Sequence, residues 1–424
     1  MKSKITTLFC LLIYKISYEL IYAYVSSKIF AYSGLTWHPI MWKCVVSYVI
    51  FICLALLPER DGTVTKYLLN IYFIFTIIPM LSMFWQSDRS VSYTLMCSVI
   101  YIIMHCGCYI YNDKRAKRIV VGNLFEKVSI SSLLIAFALI MIMLFTVKYG
   151  LADSRAFNLD NVYSIRSERK FTGIWGYMIN WLPYAVIPCV MCIGLYKKSK
   201  LQIAFAVLIQ LYLFLFTGSK TTLFSIALIL FSYYLVAKKK DFVNWWTIAL
   251  TGLNLFTTFI YYKVGELMPF AIFPIRLLTI PASISYNHYD FFSNNQKLYF
   301  AENIIGRVLG IKSPYEVFST YLVSTGSGNA NTGLLGDAYD NGGFLIMVLY
   351  ALIFALIFRY IERIYNRYQE DNRALPVFVG VLTYSIIYLN DGSLTALLVT
   401  GGLLINIFVL MQFGKLDKEW KQSD

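Results

Sequence analysis

Apolar runs of about 20 residues recur along the whole chain, each closed by a short polar stretch, and that length matches what a helix needs to cross a bilayer. The runs lie near 5–27, 40–57, 67–86, 90–111, 129–149, 173–195, 201–217, 220–237, 243–263, 342–358, 374–390 and 394–413. This pattern predicts an all-α polytopic membrane protein of about 12 transmembrane helices, folded as one integral membrane domain over 1–424. Basic clusters fall on alternate turns, among them Lys114, Arg115, Lys117 and Arg118, then Lys197, Lys198 and Lys200, then Lys238 to Lys240. Lys and Arg concentrate on the cytoplasmic side of membrane proteins, so both termini are expected there. Two stretches then face the opposite side. One is 151–172, and the other is 264–341, a long loop between the ninth and tenth spans. Connections of that length are functional or disordered. This one carries Phe270, Phe273, Tyr286, Tyr289, Phe291 and Phe292, so it is expected to fold against the membrane face.

Composition narrows the class. Hydrophobic residues make up 58% of the 424 and charged residues 14%, where a soluble domain carries about 25% charged residues. Too little charge is present to cover a water-soluble surface. A secreted enzyme, a cytosolic nucleotide-binding protein and a nucleic-acid binder are excluded. The net charge of +14 describes which loops face the cytoplasm. All eight cysteines sit in apolar runs, and Cys189-x-x-Cys192 lies mid-span with no second pair, which reads as buried packing. His38, His105 and His288 are too scattered for a metal site. Lys15 and Glu19 sit four apart inside the first span, where they are placed to pair.

Four stretches hold candidate chemistry. Arg166-Ser167-Glu168-Arg169-Lys170 stands just outside the sixth span, and Arg166 and Arg169 offer planar donors for a diphosphate or acidic sugar. Thr217-Gly218-Ser219-Lys220 forms a tight turn, and Lys220 begins a helix at the membrane edge, where exposed amides and a cation suit an anion. Arg276 is isolated among apolar residues between Pro274 and Pro281, which predicts a short helix lying along or dipping into the membrane. His288 and Asp290 follow it as candidate general bases. The fourth stretch, Gly326 to Gly343, is rich in Asn, Asp and Gly; Asn329, Asn331 and Asp337 there supply groups that bind hydroxyls or a pyrophosphate. No Walker loop, dinucleotide fingerprint or Ser-His-Asp set occurs. The expected reaction uses no cofactor, no nucleotide and no metal, so its substrate brings its own anionic leaving group.

Gly218-Ser219-Lys220, the Arg276 segment running to Tyr289-Asp290-Phe291-Phe292, and Asn329-Ala330-Asn331-Thr332-Gly333 with Gly342-Gly343 together resemble the bacterial O-antigen polymerases. The resemblance implies a glycosyltransferase of lipopolysaccharide biosynthesis in the cell inner membrane. Its substrate would be an undecaprenyl-diphosphate-linked oligosaccharide, passed at the periplasmic face onto an incoming lipid-linked repeat unit. Membrane lipid and a polysaccharide chain-length regulator would be its other partners. The cations Lys220, Arg276, and Arg166 or Arg169 would neutralise the leaving diphosphate, while Asp290, Asp337 or His288 would assist the attacking hydroxyl. Two departures stand out. The family often carries Arg where this chain has Lys220, and the related O-antigen ligases carry a His where this chain offers Asn329 and Asn331. A ligase is the nearest alternative. A flippase for the same lipid-linked units is another, although ionisable residues avoid the span centres here and no internal repeat is evident.

Overall fold

The computed structural model describes residues 2–109, 129–158, 161–323, 332–368, 371 and 373–412. The Lys114 to Arg118 cluster, Asn329 and Asn331 lie outside them. The protein is all-helical, with no strand among the described residues. In chain order, α1 (Lys4–Ile29) is followed by α2 (Met41–Ala55), α3 (Val64–Gln86), α4 (Val91–Tyr109), α5 (Ile130–Tyr149), α6 (Ile174–Tyr196), α7 (Lys200–Thr217) and α8 (Lys220–Ala237). The remainder are α9 (Phe242–Val264), α10 (Met268–Asn294), α11 (Gly333–Tyr365), α12 (Ala374–Asn390), α13 (Leu394–Leu398) and α14 (Leu403–Met411).

All of the predicted apolar runs are helical, and ten helices among the described residues are long and apolar enough to cross a membrane. α2 and α12 are apolar but shorter than the ten, and the other differences lie from α9 onward. The run at 394–413, which counts among the ten as Leu394–Met411, is two helices, because Val399 to Gly402 leaves helical geometry. α9 is long enough to cross but carries Asn244, Thr247, Asn254 and Thr257 on its buried side, and it is not among the ten. Instead the ten include α10, which falls inside the stretch 264–341 that the sequence reads as a loop.

α3 is the centre of the bundle, with 89% of its span buried, whereas only 28% of α5 is covered by protein and the rest is left for lipid. α1 packs on α9, α4 on α11, and α8 on α12. Inside this apolar packing lies a charged pair on α1. Lys15 is ion-paired with Glu19 and donates to Ser47 Oγ and Ser82 Oγ, each at 3.1 Å. Glu19 in turn accepts from the Tyr48 hydroxyl at 2.6 Å and from Trp85 Nε1 at 2.8 Å. The pairing expected from the spacing is therefore made, and the surrounding donors and acceptors complete it.

α10 does not cross from one face to the other. Its beginning meets the ends of other helices: Phe270 stacks on Phe30 beyond α1 and touches Tyr261 at the end of α9, and Lys220 Nζ lies 3.1 Å from Met268 Sδ. Its far end returns to the turn between α3 and α4, where Arg89 pairs with Asp290 at 3.2 Å and Ser92 bonds Tyr289 at 2.8 Å. That turn is bonded to the α1–α2 connection through His38 N to Gln86 O at 2.8 Å, so both ends of α10 lie on one face. Its middle, Pro281 and Ala282, borders the same small void as Phe75 and Thr76. Those residues stand 11 and 10 positions back from the end of α3, or about 15–16 Å at 1.5 Å per residue. The helix is thus re-entrant within the bundle, its middle lying about 15 Å in from the face that holds both of its ends.

Sequence explains how it bends. Residues Ala271–Thr279 form a π-helical stretch containing Pro274, which removes a backbone donor. The Pro274 carbonyl is satisfied by the Thr279 hydroxyl at 2.8 Å, and Thr279 in turn receives Tyr18 OH at 3.2 Å. A second re-entrant piece, the first part of α11, runs beside it. Gly333 approaches so closely that a Cβ there would meet the Asn390 carbonyl oxygen at 2.4 Å, and its φ of +63° already requires glycine. From this depth the helix rises to Asn341, breaks at Gly342 and Gly343, and then descends as a full span to Tyr365.

Candidate functional site

The stretch 151–172 folds around a small core of its own. Ala156, Val162 and Ile165 bury against Phe214 of α7, which sets the short helix Val162–Glu168 across the end of α7. Gly218 makes this docking possible: a Cβ there would stand 2.8 Å from the Val162 carbonyl oxygen, and its φ is +61°. Arg155 forks between Asp153 at 2.6 Å and Glu168 at 2.7 Å, and these bonds hold the Asp153 carboxyl below its usual range. Arg169 is held by the carbonyls of Phe216 at 2.9 Å and Leu151 at 2.5 Å and stacks over the Phe216 ring. Glu168 is thus taken up by Arg155, while Arg166 and Arg169 stand at one opening.

That opening leads into a cavity of about 430 Å³. Arg166, Arg169 and Phe171 form its rim with Thr217, Ser219 and Thr221 from the α7–α8 turn. Its wall is Asn180 and Tyr184 of α6 and Tyr384 and Tyr388 of α12. Tyr184 and Tyr384 stack with centroids 4.7 Å apart, and Tyr388 lies 6.1 Å from Tyr184. Asp391, in the turn after α12, lines the cavity with its side chain exposed to it. Tyr184 is ten residues inside α6, so the wall runs about 15 Å down from the helix start.

The Asp391 turn is held firmly. Asn390 donates to the Phe75 carbonyl at 3.0 Å and accepts from the Thr76 hydroxyl, which ties it to α3. Backbone amides of Asp391 and Gly392 both bond the Tyr388 carbonyl, at 3.0 and 2.8 Å. Arg276 of the re-entrant helix lies within electrostatic reach of the Asp391 carboxylate. The cavity therefore has two arginines at its rim and one carboxylate on its lining.

Among the residues singled out from sequence, the structure brings Arg166, Arg169 and the 217–221 turn to one cavity, with Arg276 beside its acidic end. Lys220 is next to this rim in sequence, but its amine rests against Met268 Sδ. The other residues named as bases stand elsewhere. His288 Nδ1 is bonded to Asp340 Oδ2 at 2.6 Å, and both side chains are buried. Asp337 accepts from Tyr350 OH and from Asn341 Nδ2, each at 3.0 Å, and Asp290 is spent on Arg89. The His288–Asp340 bond joins α10 to the first part of α11, Asp290 ties α10 to the α3–α4 turn, and Asp337 braces α11 across its break, so none of the three lines the cavity. Asp391 and the three tyrosines are the residues that sequence reasoning missed. The signal was an acidic residue in a very short connection between two apolar runs.

Among the described residues, no three His, Cys, Asp or Glu side chains gather as metal ligands. One lysine outside the spans has unusual chemistry. Lys297 donates to the Phe292 carbonyl at 2.7 Å and lies 3.5 Å from the centre of the Tyr339 ring. Burial pushes its ammonium down to about 8, against the pull of Asp340 in the other direction. Acylation of Lys297 is therefore expected to reach half its maximal rate near pH 8, whereas surface lysines require a pH above 10. Peptide mass spectrometry across a pH series of labelling checks this; a Lys297 profile matching the other lysines would contradict it. Compared with protein-family models, curated proteins and solved structures, the chain matches none of them.

Proposed function

We propose that the protein is a glycosyltransferase that polymerises lipid-linked O-antigen repeat units at the periplasmic face of a bacterial inner membrane, with both termini cytoplasmic. The observation that carries this reading is the cavity itself: two arginines at the rim, an aromatic wall, and a carboxylate at membrane depth. An undecaprenyl-diphosphate-linked glycan presents chemistry that matches these groups. Its diphosphate lies at the headgroup level, where Arg166 and Arg169 supply forked donors. Its sugars present hydroxyls and apolar ring faces, suited to Asn180 and the tyrosines. Charge grows on the diphosphate as the glycosidic bond breaks, and fixed cations in a water-poor site are worth most at that moment.

The flippase alternative is less well supported. A carrier needs a polar path to the opposite face, and below this cavity α6 buries Val186, Cys189, Val190 and Cys192 against the bundle. A ligase would use the same cavity with a different acceptor, and the test separates the two. Lipopolysaccharide from a strain lacking this chain, run beside the complemented strain, is expected to show core bearing one repeat unit and no ladder. Core with no repeat would assign ligase or flippase instead, and an unchanged ladder would overturn the reading.

A further inference from the structure

We propose that Asp391 is the general base of the transfer reaction, taking the proton from the attacking sugar hydroxyl, with Arg276 as its positioning residue. This rests on the polymerase reading and assigns the role that His288, Asp290 and Asp337 do not fill.

Asp391 is the one carboxylate among the described residues that line the cavity. A general base must reach the proton it removes. His288, Asp340 and Asp337 are buried in bonds to protein groups, while Asp391 presents its side chain to open space. The backbone beneath it cannot drift, because Asn390 is bonded to α3 and the turn is closed by two amides on the Tyr388 carbonyl. A carboxylate fixed this way keeps its position between turnovers, which proximity catalysis needs. Arg276 arrives from a different element, the re-entrant helix, and the depth of that helix places a cation near an acid that is itself embedded in the membrane region. Without a nearby cation a carboxylate at that depth would be costly to keep charged. Arg166 and Arg169 line the same cavity, so the base and the cations that meet the leaving group face one space.

The acceptor hydroxyl oxygen forms a bond to the anomeric carbon, and the bond from that carbon to the diphosphate oxygen breaks. Its electron pair stays on the diphosphate, whose charge the rim arginines meet. The hydroxyl proton passes to the Asp391 carboxylate and leaves with solvent when the lipid diphosphate departs.

The experiment uses full-length protein in proteoliposomes, supplied with diphosphate-linked repeat units extracted from the strain lacking the chain. Asp391→Asn is expected to lower kcat by about 10²- to 10⁴-fold, the usual worth of a general base, with KM within about threefold of wild type. Asp391→Glu keeps a carboxylate and is expected to recover at least about tenfold over the amide. Arg276→Gln is expected to lower kcat less than Asp391→Asn does and to add little to it in the double variant. An Asp391→Asn protein with kcat near wild type overturns the inference while leaving the polymerase reading in place. So does a raised KM with kcat kept, which would make Asp391 a binding group. Wild-type protein that makes no polymer from these units overturns the polymerase reading, and the inference falls with it.

Discussion

Replacing Lys15 with alanine is expected to destabilise the protein by about 3–5 kcal/mol, the cost of leaving one member of a buried ion pair without its partner. Lys15 is fully buried and serves three acceptors on three helices: Glu19 of α1, Ser47 of α2 and Ser82 of α3. Its removal strands Glu19 inside the bundle with only the Tyr48 and Trp85 donors. The double variant Lys15→Met with Glu19→Gln is expected to lose much less, because no uncompensated charge remains. Thermal unfolding in detergent compares the three proteins. A single variant that melts at the wild-type temperature would mean that the pair contributes nothing, and a double variant worse than the single would point to the Ser and Tyr contacts instead.

The second large effect is expected at the cavity rim. Charge-assisted hydrogen bonds are worth about 1.5–3 kcal/mol each, which is about ten- to a hundredfold in rate when they act on the leaving group. Arg166→Ala is expected to lower polymer formation within that range while leaving the melting temperature unchanged, because its side chain is exposed. Arg169→Ala is expected to cost as much activity and some stability as well, since Arg169 ties Leu151 to Phe216. Arg169→Lys keeps the charge but cannot fork between two carbonyls, so it is expected to fall between alanine and wild type. Ladder formation at matched protein level measures all of these, and full activity in the Arg166→Ala, Arg169→Ala double variant would remove the rim from the site.

The spans were legible because lipid imposes a simple rule: twenty apolar residues in a row have few other uses. The rim was legible too, since cations beside a membrane edge stand out against apolar neighbours. Residue types misled where polar side chains serve packing. His288, Asp290 and Asp337 look like catalysts, yet each is bonded to a group on a neighbouring segment. A sequence does not reveal which polar residues will find each other across a bundle. Tyr184 and Tyr384 were invisible for the opposite reason, because aromatic residues in a span look like core. Arg276 was read as lying on a short helix along or dipping into the membrane, and it sits in the π-helical stretch of α10. What hydropathy could not show was that this segment is a 27-residue helix rather than a short one, since apolar composition says nothing about whether a helix turns back.

That return has a consequence for how the chain is made. α10 emerges during synthesis as a segment long and apolar enough for the insertion machinery to thread through the bilayer, which would invert every helix after it. The contacts that hold it on one face come from both directions of the chain: α1, α3 and α4 are already in place, while Gly336 and Asp340 have yet to be synthesised. Orientation at this point is therefore settled only after the last third of the chain arrives, and α10 waits at the membrane surface as a guest of the earlier helices until α11 locks it down.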